Sequence, residues 1–83
     1  MQGGNKMNVK ELKRKLVSMG VPDGWYSING APLADTYILQ QVYHYWEVFY
    51  VDERGNQGKI YRFDEESEAC TYLLEVLKRE MEL

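Results

Sequence analysis

The sequence predicts an α+β domain: an antiparallel four-stranded meander sheet with N- and C-terminal helices packed on one face, in the order α-β-β-β-β-α. Three observations predict it. Apolar residues recur at helical spacing in two stretches, one towards each end of the chain. Between them lie runs rich in β-branched and aromatic residues, separated by glycine and asparagine turn signals. The 83 residues hold no repeat, low-complexity tract or internal linker, so they allow one core and one domain.

Residues 1–7 lack the apolar core of a secretory signal and are expected to form a flexible leader or cloning remnant, with Met7 as an alternative natural start; residues 8–83 are expected to form the domain. Asn8-Val-Lys-Glu11 places a capping side chain three residues before a glutamate, which starts the first helix. Val9, Leu12, Leu16 and Met19 make its apolar stripe, and Lys10, Lys13, Arg14 and Lys15 lie largely off it. Gly20 ends it, Val21 supplies the accompanying apolar contact, and Pro22 blocks continuation.

Trp25 to Ile28 reads as a short strand followed by the turn signal Asn29-Gly30. Pro32 offers no ladder donor, so residues 31–35 are irregular before a second strand over Thr36 to Val42. Tyr43-His-Tyr45 links to the third strand, Trp46 to Val51, in which Trp46, Val48 and Tyr50 share one face and Glu47, Phe49 and Val51 the other. Asp52 to Gly58 is turn chemistry, and Lys59 to Phe63 returns as the hairpin partner, with Tyr61 and Phe63 on the face of Trp46. Asp64 is expected to cap the last helix. Glu65, Glu66 and Glu68 suit the positive end of its dipole, and Lys78 and Arg79 the other end. Cys70, Leu73, Leu74, Leu77 and Met81 form a wide stripe suited to covering a sheet.

Charge narrows the ligand classes. Residues 1–15 carry net +4, which leaves −7 on the rest of a chain whose total is −3. Twelve acidic against five basic side chains are a poor match to a phosphate backbone, so nucleic acid is not expected as a partner. One cysteine precludes an intramolecular disulfide, and no apolar run approaches the ~18 residues that cross a bilayer, so the protein is expected in the cytoplasm and not in a membrane.

Catalytic and metal chemistry find little to use. Cys70 and His44 are the only thiol and imidazole, and Cys70 falls on a core-facing stripe where a thiol is inert. Two such ligands on separate elements do not hold zinc, and residues 52–58 lack the alternating acids and terminal glutamate of a calcium loop. Gly3-Gly4 and the glycines at 55 and 58 fit neither a phosphate loop nor a dinucleotide fingerprint. No enzyme activity and no cofactor is expected. The basic residues of the first helix read as a solvated face.

A protein-binding surface remains. Its expected members are the aromatics Tyr43, Tyr45 and Phe49 and the acids Asp52, Glu53, Glu65 and Glu66, because interfaces favour aromatic anchors and a negative field speeds docking to a basic partner. A general interaction or regulatory domain, including a homodimer through a strand edge or the second sheet face, is the alternative.

Two stretches carry a family resemblance: Asp23-Gly-Trp-Tyr-Ser-Ile-Asn-Gly30 running to Leu39, and Trp46-Glu-Val-Phe-Tyr-Val-Asp-Glu-Arg-Gly55 running through Phe63-Asp-Glu-Glu-Ser-Glu-Ala69 to Leu77. Together they resemble small bacterial immunity proteins, which are cytoplasmic and encoded beside polymorphic or contact-dependent toxins. The resemblance implies that the chain binds and neutralises a cognate toxin domain. It assigns no functional residue; Tyr43-His-Tyr45 departs from the pattern and is a place for partner specificity.

Overall fold

A computed structural model describes residues 6–82, as α1 (Val9–Ser18), a 3₁₀ turn (Asp23–Trp25), β1 (Tyr26–Ile28), β2 (Thr36–Val42), β3 (Tyr45–Val51), β4 (Tyr61–Phe63) and α2 (Glu66–Met81). Residues 1–5 of the expected leader lie outside the described residues. Lys6 pairs with Glu65 at 3.0 Å, and Met7 is half-buried against the core.

Local signals set both ends of α1. Asn8 Oδ1 accepts the Glu11 amide at 2.8 Å. At the other end Gly20 takes φ 79, its amide donates to the Val17 carbonyl, and the Val21 amide donates to the Leu16 carbonyl, both at 3.0 Å. That pair of bonds is a Schellman motif, and Val21 is buried in the same cluster as Leu16. The cap of α2 sits one residue later than expected: Glu65, not Asp64, is the N-cap residue, and its side chain makes no capping bond.

The four strands form one sheet in the order β1-β2-β3-β4. β2–β3 and β3–β4 are antiparallel, but β1 runs parallel to β2, with Tyr26 beside Tyr37 and Ile28 beside Leu39. The sheet is therefore mixed, which corrects the expected antiparallel meander at its first joint. Asn29-Gly30 does not close a hairpin. Asn29, at φ 54, donates its amide to the Leu39 carbonyl at 2.8 Å and accepts the Gln41 amide on Oδ1 at 2.9 Å, so it continues alongside β2. Residues 29–35 then return to the start of β2. Tyr26 and Ile28 pack towards the helices, so Ser27 points to the opposite side, and its hydroxyl donates to the Ala31 carbonyl at 3.0 Å. The return segment therefore passes Ser27 on the side of β1 turned away from the helices. Parallel neighbours are usually joined by a dozen or more residues; a three-residue β1 needs far less chain to be retraced.

Other boundaries shift for local reasons. Tyr45 belongs to β3, so only Tyr43 and His44 turn the β2–β3 hairpin. β4 is confined to three residues, although Gln57 makes an isolated bridge to Val51. Two apolar clusters follow the alternation of β2 and β3. Leu39, Trp46 and Val48 join Leu12 and Leu16 of α1 and Ala69, Cys70, Leu73 and Leu77 of α2. Ile38, Phe49 and Val51 form the other cluster. α2 lies against β2, β3 and β4, and α1 packs against α2.

Candidate protein-binding surface

The β2–β3 hairpin presents Tyr43 at its tip, 88% exposed and at φ 55. Left-handed backbone costs a bulky L-residue about 1–2 kcal/mol, and a side chain this exposed gains little packing there. Tyr45, the next strand residue, is half-buried, with the Arg62 guanidinium 5.1 Å from its ring centroid. Arg62 Nε donates to Glu47 at 3.3 Å, and Gln40 Nε2 donates to the same carboxylate at 3.1 Å. Gln40, Glu47 and Arg62 stand opposite one another across β2, β3 and β4. Glu47 is buried, and a buried carboxylate requires such partners.

The seven expected contact residues do not form one patch. Phe49 is 4% exposed and packs with Ile38 and Val51, which removes it from the accessible surface. It faces away from the helices as alternation requires, and is buried on that face. Asp52 Oδ1 accepts the amides of Arg54 at 2.9 Å and Asn56 at 2.8 Å, and so shapes the turn after β3. Glu66 is half-buried, and its Oε2 accepts the Val9 amide at 2.8 Å. Glu65 is exposed and paired with Lys6. Glu53 is exposed with no ion-pair partner among the described residues. Tyr43 and Tyr45 thus lie at one end of β3 and Asp52 and Glu53 at the other. Glu65 and Glu66 belong to the Tyr43 end, because Phe63 opposes Trp46.

The Asp52 end holds a second group of aromatics and acids. Asp35, at φ 59, accepts the Tyr50 hydroxyl hydrogen bond. The rings of Tyr37 and Tyr50, opposed across β2 and β3, tilt by 53° with centroids 4.8 Å apart. Trp25, Asp35, Tyr37, Tyr50 and Glu80 line a concavity of about 130 Å³. An open depression of about 310 Å³ shares Asp35 and Tyr50 and continues over Asp52, Glu53, Arg54 and Asn56. The bond to Asp35, followed by burial and the carboxylate's charge, pushes the Tyr50 phenol up to about 12. Burial, and then Glu80, raises that of Tyr37.

Trp25, Asp35, Tyr37, Tyr50 and Glu80 lie outside the expected contact set. Part of the group is legible from the hairpin. With Val42 opposite Tyr45, counting outward puts Tyr37 opposite Tyr50. The arrival of Trp25 and Glu80 depends on the 3₁₀ turn and on the last turns of α2, which strand pattern does not encode.

Cys70 is fully buried, and burial, then Glu66, pushes its thiol up to about 11; His44 is exposed in the hairpin turn. Among the described residues no group of three or more His, Cys, Asp or Glu is placed to hold a metal, and no helix is long and apolar enough to cross a membrane.

Compared with known proteins, the chain matches no family model, no curated protein and no solved structure.

Proposed function

We propose that the chain is a non-enzymatic immunity protein that binds and neutralises a cognate bacterial toxin domain. The toxin assignment rests on the resemblance carried by residues 23–39 and 46–77. The observation that carries the binding role is the end of the sheet where Asp35, Asp52, Glu53 and Glu80 surround Trp25, Tyr37 and Tyr50. Half-buried aromatics anchor interfaces, and a negative field accelerates encounter with a basic surface. A nuclease or other basic toxin fits such a field, because the acids occupy the place of its polyanionic substrate.

The test is co-expression with the C-terminal domain encoded immediately upstream. That domain should be lethal alone and harmless with this chain, and Glu53→Lys with Glu80→Lys should abolish rescue. A domain that is harmless on its own would remove this reading, and rescue that survives the double reversal would remove the acidic end of the sheet from it. Asp52 and Glu66 are left intact in the test because their carboxylates hold backbone amides.

A general interaction domain, including a homodimer, is favoured by one observation, the exposed and left-handed Tyr43. Sedimentation equilibrium decides it: a concentration-dependent mass that Tyr43→Ser abolishes supports self-association, and a monomer at all concentrations ends it.

A further inference from the structure

We propose that the concavity lined by Trp25, Asp35, Tyr37, Tyr50 and Glu80 is a receptor for a single organic cation, the ammonium or guanidinium end of a lysine or arginine side chain on a basic partner protein. This deepens the binding role proposed above and rests on it for the partner, but not for the chemistry of the pocket.

Three features specify that ligand. The first is size: about 130 Å³ is well below the roughly 300–1,000 Å³ of pockets that enclose whole small molecules, and suits the tip of one side chain. The second is the lining. Three aromatic rings with two carboxylates attract a cation through ring quadrupoles and through charge, a combination that recognises organic cations. A hard metal ion instead needs six or more oxygen ligands, and the aromatic wall supplies few. The third is continuity. The neighbouring depression starts at Asp35 and Tyr50 and runs over Asp52, Glu53, Arg54 and Asn56, so the chain bearing the inserted cation can lie along a polar surface in which acids outnumber bases. The rings are also fixed in advance. Tyr37 and Tyr50 brace each other at 4.8 Å, and the Tyr50 hydroxyl is tied to Asp35, so little side-chain freedom is lost on binding.

The probes are Nα-acetyl-lysine amide and Nα-acetyl-arginine amide, with Nα-acetyl-norleucine amide as the uncharged counterpart. Each is titrated into the full chain while the indole N–H resonances of Trp25 and Trp46 are followed. Trp46 is 7% exposed in the core and reports on the fold. Both cations should give a saturable shift at Trp25 with Trp46 unmoved, and norleucine amide should give none.

Asp35→Asn with Glu80→Gln should weaken cation binding about tenfold, the loss expected when the charges go and the rings stay. Asn tolerates left-handed backbone and keeps an acceptor for Tyr50, and Gln removes only a charge that is unfavourable near a helix C-terminus. If the Trp46 resonance shows that the double variant is misfolded, Glu80→Gln alone supplies the comparison, again with weaker binding expected. Equal shifts with norleucine amide, undiminished cation binding by the folded variant, or displacement of both cations by calcium chloride would each overturn the proposal. Lethality of the toxin domain alone and its rescue by the unaltered chain are read without reference to this pocket, so either idea can fail alone.

Discussion

The carboxylate of Glu66, in the first turn of α2, accepts a hydrogen bond from the backbone amide of Val9, the first residue of α1, at 2.8 Å. The first amides of a helix have no partner within it. One side chain thus satisfies the opening of one helix from the opening of another 57 residues away in sequence. Glu66→Ala should cost about 1–3 kcal/mol, the range for losing a charge-assisted bond to a backbone donor, and Glu66→Gln less. The measurement is the urea midpoint of each variant; an alanine variant as stable as the parent would show that water replaces the carboxylate without loss.

Cys70 offers a direct view of the core. It is buried among Leu12, Leu16, Leu73 and Leu77, and burial first, with Glu66 second, raises its thiol to about 11. The thiolate is the reactive form. Alkylation at neutral pH should therefore be slow in the native protein and should accelerate in urea in step with unfolding. Fast modification of the folded chain would contradict the packing of α2.

Alkali should weaken the fold through Tyr50. Its phenol ordinarily ionises near 10.0 but is held at about 12 in the folded chain. A raised value means that the folded state keeps the proton longer than the unfolded state. The stabilisation is complete below pH 10 and is lost as pH rises towards 12. Phenolate absorbance should show a late-titrating component, to which Tyr37 also contributes, and Asp35→Ala should bring the Tyr50 part of it earlier. A late component unmoved by Asp35→Ala would mean that the Asp35 bond does not persist in solution.

Tyr43 should trade stability for binding. Tyr43→Gly removes left-handed strain of about 1–2 kcal/mol and adds backbone entropy to the unfolded chain, for a net gain of about 0.5–1 kcal/mol. Thermal unfolding should show a higher midpoint. A lower one would mean that the exposed ring contributes contacts to the fold.

The parts of the structure legible in the sequence are those whose causes are local. Asn8, Gly20 and Val21 act within one turn of α1, and alternation alone assigns Trp46 and Val48 to one face and Phe49 and Val51 to the other. The parallel joint is not local. Asn29-Gly30 announces a change of direction, but whether the chain folds back or runs on depends on bonds to Leu39 and Gln41, which no turn signal contains. Phe49 shows the same limit at the site. Its face can be counted from the sequence, while its burial depends on tertiary packing. The acids divide similarly: composition reveals their excess, and Asp52 is occupied by amides of its own turn, but only tertiary structure separates Glu53, which is exposed, from Glu66, which holds the amide of Val9.

The parallel placement of β1 also bears on how the chain is made. β2 and β3 meet across a two-residue turn and can pair as soon as both have left the ribosome, at small loop-closure cost. β1 emerges before either. It cannot pair until its neighbour exists and the return segment has doubled back. During synthesis, therefore, the segment Tyr26–Ile28 waits unpaired, and the outer edge of β2 stays open until β1 docks on it. The first strand of the sheet in sequence depends for its place on a strand made after it.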